Sequence, residues 1–194
     1  NPSDLPDILK DNRHINLSLN GHNIQTYRWE GNEDIILLVH GWESNASRWK
    51  KMLNHLKPLG KTIIAIDAPG HGLSSGKEFN APRYAEFIHV LAQKYNPKTL
   101  IGHSIGGAAI AYYLHKYPND HIEKIVLLGA PSSFKKLSDN FVNILSLNNK
   151  MKILLEKHYQ EKFNSMFFDD MRAGRHVLTQ ENTPQYLLVA KEKA

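Results

Sequence analysis

The sequence predicts an α/β fold in which a mostly parallel sheet follows an antiparallel hairpin. Two observations carry this prediction. Short apolar runs typical of strands buried on both faces lie at 35–39, 62–66 and 125–128, and a further strand is expected at 98–101. Longer helical stretches separate these runs, and this alternation is typical of parallel strands joined by right-handed crossovers.

The N-terminal hairpin is predicted from a turn between two strand-like stretches. Apolar and polar side chains alternate from Ile15 to Leu19, and a second stretch runs from Ile24 to Trp29. Asn20-Gly21 lies between them and is a strong signal for a two-residue turn. We therefore expect an antiparallel pair of strands ahead of the parallel ones.

Three helices are expected between the buried strands. They span Ala46 to Leu56, Pro82 to Tyr95, and the residues after Gly107 up to Lys116. Asn96-Pro97 ends the second helix and Pro118 follows the third, because proline lacks the amide hydrogen that a continuing helix needs.

Length and composition indicate a single ordered core. The 194 residues are 41% hydrophobic and 22% charged, which is enough for one sizeable core. The net charge of +5 is modest, and the lysines are scattered among acidic and apolar residues. This pattern is typical of solvated surfaces, so we expect no nucleic-acid partner.

The chain contains no cysteine, which excludes disulfides, thiolate metal sites and a cysteine nucleophile. The same absence favours a reducing compartment, so a cytoplasmic location is expected. No apolar stretch approaches the ~20 residues of a membrane span, and the polar start at 1–4 does not resemble a signal peptide. We therefore expect no membrane span.

One stretch, Gly102 to Gly107, has the pattern Gly-x-Ser-x-Gly between a predicted strand and a predicted helix. A serine at such a turn adopts a strained backbone, and its flanking residues must be small because strand and helix cross there. The turn would lift the Ser104 hydroxyl above the sheet and direct the Ile105 backbone N–H toward an oxyanion. The alternative is a glycine-rich turn in which Ser104 has no chemical role.

Three motifs follow successive predicted strands. They are His40-Gly41-Trp42, then Asp67-x-Pro69-Gly70-His71-Gly72-x-Ser74, and then the stretch from Gly102 to Gly107. Their order and spacing resemble the α/β-hydrolase family, most closely its small carboxylesterase-like members, over residues 20–131. The resemblance implies that Ser104 is the nucleophile. It also implies that the backbone N–H of Trp42 is an oxyanion donor beside that of Ile105.

The other polar residues of these motifs are expected to be structural. We interpret His40 and His103 as histidines that hydrogen-bond loop backbone rather than transfer protons. The resemblance implies that Asp67 and His71 shape the sheet edge and take no part in catalysis. For the Trp42 side chain, a wall of the acyl pocket and a core aromatic are both open, and each agrees with a role for its backbone.

The C-terminal third departs from the family pattern. Apolar residues repeat at helical spacing in 134–147 and 150–168, so we expect cap helices over the site, with ordinary packing helices as the alternative. The expected organisation is an α/β-hydrolase core at 1–131, a helical cap at 132–171 and a C-terminal segment at 172–194. The C-terminal strands are incomplete or missing in this prediction, yet the apolar strand at 125–128 needs a partner along its free edge.

A serine nucleophile needs a histidine base, and that base needs an acid. His176 precedes a short acidic turn and a predicted last helix from Pro184 to Glu192, as in the family's final segment. It is therefore the candidate general base, with a surface histidine as the alternative. His115, His121 and His158 are weaker candidates, since they lie on or near predicted helices away from the expected site.

The catalytic acid stays unassigned. In the family it follows a further buried strand, and a strand, crossover and strand need about 30 residues or more. Asp169 and Asp170 are the only acids between Phe168 and His176, and no apolar run leads to them.

The sequence thus predicts a serine hydrolase that cleaves a small carboxylic ester through an acyl-enzyme on Ser104. The alternative is a catalytically impaired α/β-hydrolase-fold binding module or a truncated fragment. Serine at the turn argues against dehalogenases and epoxide hydrolases, which resemble this fold but carry Asp there. The sequence shows neither a metal-ligand cluster nor a phosphate loop. The expected partner is a small ester, with no cofactor and no metal.

Overall fold

The computed structural model describes residues 6–10, 13–117, 120–131, 139, 142–143, 145–158, 161 and 185–189. Its strands are β1 (Arg13–Leu19), β2 (His22–Trp29), β3 (Asn32–Val39), β4 (Lys61–Ile66), β5 (Thr99–His103), β6 (Lys124–Leu128) and β7 (Gln185–Val189). Its helices are α1 (Asp7–Lys10), α2 (Lys50–Leu56), α3 (Ala81–Tyr95), α4 (Ile105–Lys116) and α5 (149–158). Short 3-10 turns at Ala46–Trp49 and Lys57–Leu59 flank α2.

The seven strands form one sheet in the order β1-β2-β4-β3-β5-β6-β7. β1 pairs antiparallel with β2, and β2 pairs antiparallel with β4. Every later pairing is parallel, from β4 through β3, β5 and β6 to β7. The predicted mostly parallel sheet with an N-terminal antiparallel hairpin is confirmed.

The hairpin turn has the backbone that its sequence predicts. Asn20 and Gly21 both have positive φ, at 48° and 77°, and Leu19 pairs directly with His22. Two consecutive left-handed residues match the right-handed twist of the flanking strands. The turn therefore fixes the register of β1 against β2.

Helix α3 begins one residue before the predicted Pro82 and ends at the predicted Tyr95. The Asn80 side chain accepts a hydrogen bond of 2.8 Å from the Arg83 N–H, which caps the first turn. At the other end Asn96 has φ of 48°, a left-handed conformation that stops the helix before Pro97. The helix expected from Ala46 is confirmed only from Lys50 onward, since Ala46–Trp49 forms a tighter 3-10 turn.

The core lies on both faces of the central strands. In β4 the residues from Ile63 to Ile66 are at most 1% exposed, as expected for a strand covered by helices. Helix α3 contributes Phe87, Ile88 and Leu91 from one buried face. Each such side chain stabilises the fold by about 1.5–3 kcal/mol through removal from water.

The predicted last helix from Pro184 to Glu192 is wrong, because Gln185–Val189 forms β7 beside β6. Leu128 pairs with Val189 at one end of this ladder and Lys124 with Gln185 at the other. A short apolar run does not distinguish strand from helix by its periodicity, and here pairing decides. The expectation that β6 needs a partner along its free edge is confirmed, and β7 is that partner.

The chain divides into two compact units, one of residues 1–130 and 184–194 and one of residues 131–183. The first unit contains the sheet. In the second, residues 149–158 form α5, which overlaps the helix expected at 150–168. The helical cap expected at 132–171 stays a prediction. Among the described helices, none is both long and apolar enough to span a bilayer.

Candidate active site

Three loops meet at the carboxyl edge of the parallel strands. Val39 pairs with Ile66 of β4 on one side and with Gly102 of β5 on the other. The segments that begin at His40, Asp67 and Ser104 therefore leave the sheet side by side. This edge is where open α/β sheets bind ligands.

Ser104 lies at a strained turn between β5 and α4. Its φ of 53° and ψ of −125° fall outside the regions that non-glycine residues favour, at a cost of about 1–3 kcal/mol. The Ser104 N–H donates to the Leu128 carbonyl oxygen at 2.9 Å, which ties the turn to the end of β6. The structure thus holds Ser104 in the conformation that the Gly-x-Ser-x-Gly pattern predicts.

The glycines around Ser104 are required by close backbone approach. A Cβ on Gly106 would lie 2.3 Å from the His40 carbonyl oxygen, and one on Gly102 would lie 2.7 Å from the Gly107 Cα. These neighbours are backbone atoms that cannot move aside. The prediction that the residues at 102 and 106 must be small is confirmed.

The loop after β3 packs directly against the serine. A Cβ on Gly41 would lie 3.1 Å from the Ser104 Cβ and 3.1 Å from the His103 carbonyl oxygen. Trp42 follows, and its side chain is 39% exposed. The alternative of Trp42 as a core aromatic is therefore wrong. Ile105, at the other side of Ser104, is the first residue of α4, where backbone N–H groups lack intrahelical partners.

His40 is fully buried and hydrogen-bonds loop backbone on both sides. The Ala68 N–H donates to its Nε2 at 2.9 Å. The proton is thus on Nδ1, which donates to the Gly41 carbonyl oxygen at 2.6 Å. Burial lowers the pKa of His40 to about 4, so the ring is neutral at physiological pH. The prediction that His40 is structural is confirmed.

The contact between His40 and Gly41 also orients the next amide. The Gly41 carbonyl and the Trp42 N–H belong to one trans peptide plane, in which they point in opposite directions. With the carbonyl held by His40, the Trp42 N–H points away from that ring. A single buried side chain therefore sets the direction of the amide that the family resemblance implies as an oxyanion donor.

Asp67 joins three segments beneath the loops. Its carboxylate accepts hydrogen bonds from the Tyr27 hydroxyl at 2.9 Å, the Ala46 N–H at 2.8 Å and the Leu73 N–H at 2.9 Å. Burial raises the pKa of Asp67, and these donors oppose that rise. These three contacts connect loops and strands to one another, which agrees with the expectation that Asp67 takes no part in catalysis.

His103, immediately before the serine, contacts Arg48 through its Nε2. Arg48 lies on the 3-10 turn Ala46–Trp49, whose first N–H is held by Asp67. The guanidinium donates and the ring nitrogen accepts. No local pattern in the sequence indicates this contact, because 55 residues separate the two partners.

Of the remaining histidine candidates, His115 and His121 lie away from Ser104. His176 lies outside the described residues, as do Asp169 and Asp170, so the assignment of the base stays a prediction. His115 lies in the last turn of α4, about 15 Å along the helix axis from Ile105. His121 lies just before the start of β6, at the opposite edge of the sheet.

The structure adds one feature that bears on the missing acid. Strand β7 runs parallel to β6, so its carboxyl end at Val189 reaches the same edge as Ser104. The family pattern predicts such a strand before the catalytic histidine, whereas β7 follows His176 in the chain. In the described part of the chain, no group of three or more His, Asp or Glu side chains is placed to hold a metal ion.

Comparison with known proteins agrees with this geometry. The sequence model of the alpha/beta hydrolase fold matches residues 34–185. The chain is 32% identical over 121 residues to a human protein named serine hydrolase-like protein, covering 59% of this chain and 58% of that one. It is 30% identical over 102 residues to the bifunctional esterase/perhydrolase DCH of Acinetobacter calcoaceticus, covering 50% of this chain and 36% of the relative.

Among solved structures, the thioesterase domain from the curacin biosynthetic pathway superposes with a TM-score of 0.55 at 24% identity. That match covers 62% of this chain and 47% of the thioesterase domain, and it supports the fold alone. The chain spans 32% to 58% of the length of the first curated relatives it matches. With the family model matching most of the sequence, the chain belongs to the alpha/beta hydrolase fold family.

Proposed function

We propose that the protein is a serine hydrolase that cleaves small carboxylic esters through an acyl-enzyme on Ser104. The observation that carries the proposal is the backbone of Ser104, which is held at φ of 53° with Gly41 packed against it. A turn without a chemical role has no need of this strain, since glycine would adopt the same φ without the cost.

The reaction proceeds in two halves. The Ser104 hydroxyl attacks the ester carbonyl carbon while His176 accepts the hydroxyl proton, and the backbone N–H groups of Trp42 and Ile105 stabilise the oxyanion. The carbon–oxygen bond to the alcohol then breaks, and His176 returns the proton to the leaving alcohol. Water repeats the sequence on the acyl-enzyme and releases the carboxylic acid.

The contacts of His40 support the assignment of the general base to a different histidine. Both ring nitrogens of His40 are occupied by backbone groups, and its pKa of about 4 keeps it neutral. It therefore holds no proton-accepting nitrogen toward Ser104. A separate base is required, and His176 is the candidate that the sequence offers.

A small ester is the substrate class that the surroundings of Ser104 favour. The exposed Trp42 side chain offers an apolar face beside the loop that contacts the serine. Two relatives are named serine hydrolase-like protein and bifunctional esterase/perhydrolase, and the second name refers to ester hydrolysis. A short acyl chain would place its carbonyl at Ser104 and its carbon atoms against the indole.

The test combines a covalent probe with ester turnover. A fluorophosphonate should label the full chain on Ser104, and p-nitrophenyl acetate should be hydrolysed. Ser104→Ala should abolish both, whereas Ser18→Ala, at an exposed position of β1, should change neither. A folded wild-type protein that binds the ester without labelling or turnover would favour the binding-module alternative.

A further inference from the structure

His71 lies on the loop after β4 and contacts the turn that contains Trp42. Its Nδ1 lies 2.9 Å from the Pro69 carbonyl oxygen, and its Nε2 accepts a hydrogen bond of 3.2 Å from the Glu43 N–H. A carbonyl oxygen only accepts, so Nδ1 carries the proton and Nε2 holds the lone pair. One neutral tautomer satisfies both contacts.

The turn that His71 contacts needs an external support. Glu43 has φ of 49°, a left-handed conformation that costs a side-chain-bearing residue free energy unless neighbours fix it. The Glu43 N–H lies in the peptide plane after Trp42, and His40 holds the plane before Trp42 through the Gly41 carbonyl. The two histidines thus fix the two consecutive peptide planes on either side of Trp42.

The loop that carries His71 is itself held firmly. The His71 N–H donates to the Ala68 carbonyl oxygen at 3.0 Å, and the Ser74 N–H donates to the His71 carbonyl oxygen at 3.0 Å. The Ser74 hydroxyl donates to the Asp67 carbonyl oxygen at 2.7 Å. The imidazole packs against Phe79 with ring centroids 4.5 Å apart. His71 is therefore a fixed point from which the turn at Trp42 can be held.

From this geometry we propose that His71 is a positioning residue for ester hydrolysis, which acts through Glu43 to hold the Trp42 amide where the oxyanion forms. The inference rests on the proposed function. It also goes beyond the expectation that His71 takes no part in catalysis. Loss of the contact should lower kcat and leave KM nearly unchanged, because the oxyanion exists in the transition state and not in the bound ester.

Two amide substitutions separate the contacts of His71. His71→Gln places an amide oxygen near the position of Nε2, so it keeps an acceptor for the Glu43 N–H. His71→Asn places an amide nitrogen near the position of Nδ1, so it keeps the Pro69 contact and loses the acceptor. We expect His71→Asn to lower kcat by about tenfold or more and His71→Gln to retain most of it. Equal losses in both variants, or none in His71→Asn, would overturn the proposal.

A second measurement does not depend on turnover. Hydrogen exchange of the Glu43 amide, followed by NMR on the full chain, should be slow in the wild type and in His71→Gln and faster in His71→Asn. Fast exchange in the wild type would overturn the proposal even if Ser104 is labelled. The opposite result is also informative. If Ser104 is not labelled but the Glu43 amide exchanges slowly and depends on His71, the proposed function is refuted, while the support of the turn by His71 still holds.

Discussion

The two edges of the parallel sheet are held by different interactions. At the carboxyl edge, His40 and Asp67 are fully buried and accept or donate hydrogen bonds to backbone groups of neighbouring loops. At the amino edge, Asp34 lies 3.0 Å from both Lys61 and Lys98, and all three side chains are at least 29% exposed. One edge is fixed by directional buried contacts, and the other by solvated ion pairs.

The difference indicates where the molecule needs precise geometry. A buried hydrogen bond to backbone fixes both the distance and the angle of a loop, and an unpaired buried partner is costly. Exposed ion pairs tolerate large changes in geometry and are screened by salt. Substitutions at the carboxyl edge should therefore affect chemistry or folding strongly, whereas those at the amino edge should have little effect.

The largest effect is expected from protonation of His40. Its folded pKa of about 4 lies below the ordinary value of 6.5, so between these pH values the unfolded chain binds the proton and the folded chain does not. The stability contribution is complete above pH 6.5 and is lost as pH falls toward 4, by up to about 3 kcal/mol. Urea unfolding measured from pH 7 to pH 4 checks this.

The control for this prediction is His40→Gln, which keeps a donor and an acceptor but does not titrate. Burial also raises the pKa of Asp67, which contributes with the opposite sign, but Asp67 is present in both proteins. The free-energy difference between wild type and variant should therefore fall as pH falls. A difference independent of pH would refute the buried neutral state of His40.

The next effect concerns the loop beside Ser104. Gly41→Val places side-chain atoms within about 3.1 Å of the His103 carbonyl oxygen and the Ser104 Cβ, so the loop must shift. We expect ester turnover to fall about a hundredfold, roughly 2.7 kcal/mol in the barrier, through loss of one oxyanion donor. Steady-state kinetics with p-nitrophenyl acetate measure this.

The matched variant is Trp42→Phe, which keeps the backbone N–H and an aromatic face. It should retain much of the activity, because the proposed donor is main chain. If Trp42→Phe were as damaging as Gly41→Val, the indole itself would have to take part in the reaction. This pair therefore separates the backbone from the side chain at the same loop.

The smallest effect is expected at the amino edge. Hydrogen bonds from Lys98 and Lys61 lower the pKa of Asp34, and both cations are exposed to solvent. Lys98→Met should change Tm by no more than about 2 °C, leave turnover unchanged, and raise the pKa of the Asp34 carboxyl. Calorimetry measures the change in Tm, and NMR titration measures the pKa of Asp34. A large loss of ester turnover in Lys98→Met would contradict the proposed difference between the two sheet edges.

Features set by local sterics could be predicted from the sequence. The Asn20-Gly21 turn and the strained turn at Ser104 depend on backbone conformations that few residues adopt, so short patterns suffice. The end of α3 at Asn96 is set in the same local way. Each of these predictions concerns residues that are neighbours in the chain.

Features set by distant contacts could not be predicted. Strand β7 forms because it pairs with β6, which lies more than fifty residues earlier in the chain. The periodicity of its own five residues fits a helix equally well. The Asp67 carboxylate reaches Tyr27 and Ala46, which are 40 and 21 residues away. The contact between His71 and the Glu43 N–H joins residues 28 positions apart, so the local sequence carries no signal for it.

The central claim is that Ser104 is an activated nucleophile, and covalent labelling tests it most directly. The full chain is incubated with a fluorophosphonate, and the modified residue is located by peptide mass spectrometry. We predict one phosphonylated peptide containing Ser104, and no labelling of Ser104→Ala at the same concentration and time. Labelling that persists in Ser104→Ala, or a folded wild-type protein that takes up no probe, would contradict the claim.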